Sequence, residues 1–169
     1  VYLYAPTFRD NDEDNLKILK YAEYIGENID ENSILLLRLH PHIYKKYKFK
    51  IKSNKVIDIS EYEDVNEIML ISDVLITDYS SLFYEFCYLE KPILFFAFDL
   101  DKYEKTRGFY HNYQEYVPGK IVVDLNQLIN NLNHKNFVNK SKNFKKKYYG
   151  KLSENITMNI LNYIFNCNQ

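Results

Sequence analysis

Apolar positions in this chain follow two alternating rhythms. Short continuous runs, Val1 to Ala5, Ser33 to Leu39, Val56 to Ile59, Val74 to Thr77, Pro92 to Phe98 and Ile121 to Val123, have the density of strands covered on both faces. Between them apolar side chains return every three or four positions, the spacing of a helix with one buried face. Leu16, Leu19, Ala22, Ile25 and Ile29 predict the longest such helix, with Asp10 and Glu13 suited to its first turn. Val65, Ile68, Met69 and Ser72 predict a short one, and Leu82 to Leu89 an aromatic-rich one. Asp99 to Pro118 reads as irregular and aromatic, and from Asn126 onward the pattern is helical. Strands alternating with helices imply crossovers, hence a single α/β domain over residues 1–169 with a parallel sheet and helices on both faces.

Several of these runs end in a polar cluster. Arg38-Leu39-His40-Pro41 follows the second, Thr77-Asp78-Tyr79-Ser80-Ser81 the fourth, and Thr7-Phe8-Arg9 the first. Ligands of an open parallel sheet bind beyond the carboxyl ends of its strands, so the three clusters are expected on one edge. Ser80 and Ser81 stand where a helix starts, among amides without intrahelical partners, and such a start favours an anion. The plainer reading of either serine is an N-cap. His40 has an ordinary pKa of ~6.5 and serves either as a neutral hydrogen-bonding group or as a proton donor. Alternation along a strand puts Arg38 on its face, and Pro41 holds it extended. The plainer reading is a structural histidine beside a structural ion pair. His42 is expected to be solvated, and Arg9 taken alone is a solvated loop arginine. Together these residues suggest a phosphate site.

Composition narrows the alternatives. A 46% hydrophobic content in 169 residues is enough for one sizeable core, and a net charge of −1 disfavours a general nucleic-acid surface. The chain has only four glycines, with no GxGxxG, no GxxxxGKS/T and no GxSxG. Cys87 and Cys167 show no metal or redox spacing and read as reduced, packed thiols. Asp78 and the acidic stretch Glu61 to Asp64 have no second set of ligands at metal spacing, so no metal is expected. The lysines between Lys140 and Lys151 read as a solvated helix face, with contact to an anionic membrane as the alternative. No apolar stretch approaches the ~20 residues of a membrane span. The first residue is Val rather than Met, and the chain is expected to be a piece of a longer protein.

Taken in order, Ala5-Pro6-Thr7-Phe8-Arg9, Arg38-Leu39-His40-Pro41, Glu61 to Met69, Ser72 to Ser81, Lys91-Pro92-Ile93 and Arg107-Gly108-Phe109-Tyr110 resemble the CDP-glycerol glycerophosphotransferases of teichoic-acid and capsule synthesis. The resemblance runs from Tyr4 to about Val123. It implies a Rossmann-like domain, the C-terminal nucleotide-binding half of a GT-B-type transferase. Such enzymes move glycerol phosphate from CDP-glycerol to a hydroxyl of a membrane-linked acceptor and release CMP, at the cytoplasmic face of the membrane. Carried over by motif, His40 is the catalytic histidine of this half, and when protonated it assists the departing phosphate. Thr7, Arg9, Ser80 and Ser81 hold phosphate oxygens, Arg38 helps neutralise their charge, and Asp78 is a further substrate-binding residue. The segment from Ile59 and Ser60 to Tyr62 lies beside the cytosine, and Glu67 contacts the ribose. A second essential histidine belongs to an upstream segment. No cofactor is implied. CDP-ribitol, a UDP-sugar transferase or epimerase, and a non-catalytic nucleotide-binding or interaction module are the alternatives.

Overall fold

The computed structural model describes residues 1–47, 50–150 and 155–166. Strands β1 (Tyr2–Tyr4), β2 (Leu35–Leu37), β3 (Val56–Asp58), β4 (Val74–Thr77), β5 (Ile93–Phe96) and β6 (Lys120–Val122) form one sheet of order β3-β2-β1-β4-β5-β6. Every pair is parallel; Leu3 stands opposite Leu36 on one side and Leu75 on the other. The order reverses between β1 and β4, which places a topological switch point at the centre of the sheet.

Side-chain alternation divides the core in two. Tyr2, Tyr4, Leu35, Leu37, Ile76 and Phe96 pack against α1 (Asp12–Asn28) and α7 (Leu125–Asn133), through Ile18, Leu19, Ala22, Leu128 and Leu132. Leu3, Leu36, Leu75, Ile93 and Phe95 face the other way, onto Ile68 of α3 (Val65–Ile71), Phe83 and Phe86 of α4 (Leu82–Tyr88) and Phe144 of α8 (Ser141–Tyr148). The expected two-sided α/β sheet is therefore present. Gly119 lets β6 close against β5, since a Cβ there would collide with the Ile93 carbonyl. Cys87 is a buried free thiol, pushed up to about 11 by burial, while Cys167 lies outside the described residues.

Three local expectations change. The cap of α1 is Asn11, whose side chain accepts the Asp14 N–H, whereas Asp10 turns outward to pair with Arg107. Pro41 opens a short helix, α2 (Pro41–Tyr44), because its fixed φ suits a first helical position. The stretch 99–118 holds α5 (Leu100–Thr106) and α6 (Tyr113–Tyr116), whose helical spacing is masked by a nearly continuous aromatic content. The last helix is α9 (Ile156–Asn166), and among the described residues no helix is long and apolar enough to cross a membrane.

Candidate functional site

Beyond the carboxyl ends of β1 to β4 lies an open groove of about 480 Å³. Ala5 and Pro6 supply its floor after β1, Arg38, His40 and Pro41 one wall after β2, Ser60 to Glu63 an end after β3, and Ser80 and Ser81 the opposite wall. Four consecutive loops thus contribute to one depression at the switch point, as the fold dictates.

His40 is the N-cap of α2, extended at φ −63° and ψ 145°. Its Nδ1 accepts the backbone N–H of His42 at 3.2 Å, and among the described residues Nε2 is the unbonded polar atom of the ring. Phe8 lies against both imidazoles, with centroids 4.6 Å from His40 and 5.0 Å from His42. Burial, and then the neighbouring His42, hold the His40 pKa below its ordinary value. The lowered pKa and the bond accepted by Nδ1 together favour a neutral ring whose Nε2–H is the donor. Of the two forms that the sequence left open for His40, the neutral one suits this bond, because an imidazolium would have to surrender the bond that Nδ1 accepts.

Ser80 and Ser81 divide the two roles proposed for them. Ser80 Oγ accepts the Leu82 N–H at 3.2 Å and tethers the start of α4, while Ser81 makes no side-chain cap bond. Arg38 lines the groove and donates to the Tyr62 carbonyl at 2.7 Å, and Ser60 Oγ accepts the Leu39 N–H at 2.9 Å. Glu61 and Glu63 of the acidic stretch also line it, with Glu85 and Tyr44, which the sequence did not single out.

The structure keeps five of the expected site residues away from the groove lining. Arg9 turns inward, its side chain only 5% exposed, and bonds Asp78 at 2.8 Å and Asp99 at 2.7 Å. Tyr79, Phe98 and Tyr103 surround the guanidinium, 5.0 to 5.7 Å from their ring centres. Burial works against its charge, but Asp99 and Asp78 outweigh it and raise its pKa further. Asp78 also accepts the N–H of Thr7 at 2.8 Å and of Tyr79 at 2.6 Å, so it ties the loop after β1 to the loop after β4. Arg9 and Asp78 form a buried clamp beneath the site, where a phosphate would have to displace a carboxylate. Thr7 is held at the clamp, and its hydroxyl has no partner among the described residues. Ile59 packs at the edge of the apolar core, and Glu67 accepts the Tyr62 hydroxyl. Asp99 was missed; its signal was its place directly after the fifth apolar run, on the same sheet edge.

A doubly wound sheet with one histidine, one arginine and three serines around a groove at its switch point has the layout of a ligand-binding α/β domain. The chain belongs to the CDP-Glycerol:Poly(glycerophosphate) glycerophosphotransferase family, whose model matches residues 1–166. It is 35% identical over 166 residues to the teichoic acid glycerol-phosphate primase of Bacillus subtilis (strain 168), covering 98% of this chain and 43% of that protein. It is 36% identical over 145 residues to the teichoic acid ribitol-phosphate polymerase TarL of Staphylococcus aureus (strain NCTC 8325 / PS 47), covering 81% of this chain and 25% of the other. A solved structure of the wall teichoic acid polymerase TagF with CDPG superposes with a TM-score of 0.68 at 36% identity, over 86% of this chain and 36% of that one. The chain therefore spans less than half the length of these relatives.

Proposed function

We propose that the groove holds the cytidine diphosphate part of CDP-glycerol, and that the protein carrying this chain transfers glycerol phosphate to a hydroxyl of a membrane-linked acceptor. The convergence of His40, Arg38, Ser80 and Ser81 from two loops onto one groove, in a chain matched along its length by this family, carries the reading. The acceptor oxygen attacks the β-phosphorus, the bond from that phosphorus to the bridging oxygen breaks, and CMP departs with the bonding electrons. The acceptor's proton passes to a base supplied by the rest of the protein. Positioning and charge neutralisation dominate such a transfer. Here the neutral His40 Nε2–H, the Arg38 guanidinium and the Ser81 hydroxyl are the donors, and Ser80 and the clamp hold the α4 loop in place. The reaction sits at the cytoplasmic face of the membrane and uses no metal, so EDTA should leave turnover unchanged.

Replacing His40 by Ala in the full-length protein should lower turnover by ~10²–10³-fold, the cost of losing one donor to the developing charge. Near-normal turnover would overturn the assignment. Calorimetric titration with CDP-glycerol, CDP-ribitol and UDP separates the donor classes. Equal affinity for CDP-ribitol would move the polyol assignment alone, tighter UDP binding would favour a sugar-nucleotide enzyme, and no nucleotide binding by the folded protein would favour an interaction module.

A further inference from the structure

The loop between β1 and α1 supplies Arg9 to the clamp and sets Phe8 against His40. Arg9 points inward, and its backbone is locked from both sides: its N–H donates to Asn15 Oδ1 at 2.7 Å and its carbonyl accepts Asn15 Nδ2 at 2.7 Å. One residue before Phe8, the Thr7 N–H is held by Asp78. Phe8 is thus bracketed by two anchored residues and has little freedom to shift. Its ring lies 32° from the plane of His40 and 29° from that of His42, and the two imidazoles are themselves 5.0 Å apart.

We propose that Phe8 is a positioning residue for His40, fixing the imidazole so that Nδ1 stays on the His42 amide and Nε2–H stays turned to the ligand. This rests on the groove being the nucleotide site. Phe8 touches no reacting atom in this scheme. It acts by restricting the ring that does, and small misplacements of a reacting group are expensive. The hydrogen bond from His42 sets the tautomer; the Phe8 ring keeps that bond from being lost by rotation of His40. His42 on α2 packs against His40, and Arg38, Tyr44, Glu61, Tyr62, Glu63 and Glu85 line the groove with it; of these Phe8 touches His42, so the His42 titration is followed alongside that of His40 in each variant.

Two variants of the full-length protein test this. Phe8→Leu should lower kcat by about 10- to 100-fold with little change in the KM for CDP-glycerol. The acid limb of its kcat profile should move upward, toward the ordinary histidine value of ~6.5, because the ring that helps bury His40 is gone. Phe8→Tyr, which keeps the ring, should restore both. Wild-type kcat and profile in Phe8→Leu would overturn the proposal, as would a loss tracking melting temperature with no movement of the limb. In the wild-type protein, nitrogen chemical shifts of His40 should show a protonated Nε2 and a bare Nδ1; the opposite tautomer would also overturn it, even if Phe8→Leu fails to fold. Normal turnover of His40→Ala would instead overturn the reading of the groove itself.

Discussion

Two neighbouring regions on one sheet edge use similar residues in opposite ways. At the junction of β1, β4 and β5, Arg9 lies between Asp78 and Asp99 beneath aromatic rings, with every charge answered inside the protein. At the junction of β2, β3 and β4, Arg38 and His40 line an open groove, and the serines face them across it. Both arginines follow a strand by a few residues, yet one shapes the protein and the other remains available to a ligand. Burial and the nearest carboxylate decide the role, not the residue type.

The sharpest way to break this contrast is to remove Arg9. Arg9→Leu leaves Asp78 and Asp99 buried without their cation and should destabilise the protein by about 3–5 kcal/mol, read from urea unfolding. A variant of undiminished stability that loses nucleotide affinity would return Arg9 to the ligand. Acid tests the clamp's neighbourhood next. Burial alone would raise the Asp14 pKa, but bonds from Lys102, Asn11 and Lys17 outweigh it and hold it well below the usual carboxylate range. Its stabilisation is therefore complete above the unfolded-state value of ~3.9 and fades as pH falls from there toward the folded-state value. Asp14→Asn should flatten the fall in urea midpoint between pH 5 and pH 3.

Smaller effects sharpen the division between the serines. Ser80→Ala removes the bond that accepts the Leu82 N–H and should cost about 1 kcal/mol in stability. Ser81→Ala should change stability by less than about 0.5 kcal/mol while weakening CDP-glycerol binding in calorimetry. If the two variants exchange these effects, the assignments exchange too. The smallest shift belongs to His40, whose carbon resonance should titrate with a midpoint below the ordinary ~6.5, owing first to burial and then to His42.

The sheet was legible because its strands are continuous apolar runs, a signal that covering on both faces makes strong. Helices α1, α3, α4 and α7 were legible from their period, and β1, β2 and β4 announced the loops that shape the groove. Helices α5 and α6 were not, because Tyr103, Phe109, Tyr113 and Tyr116 blur any single apolar stripe. Within the site, position along the chain was enough to bring His40, Arg38, Ser80 and Ser81 together, while Ser60 came only through the resemblance. It gave no hint that Arg9 turns inward, since that depends on Asp99, 90 residues away in sequence. Phe8 escaped for the same reason: its meaning lies in rings contributed by another loop.

The buried clamp has a bearing on how the protein responds to dissolved ions. Mobile counterions screen charges in contact with solvent but scarcely reach a guanidinium sealed between two carboxylates. Added electrolyte should therefore loosen the hold of Arg38 on an anionic ligand while leaving the scaffold beneath it intact, uncoupling occupancy of the groove from the integrity of its walls.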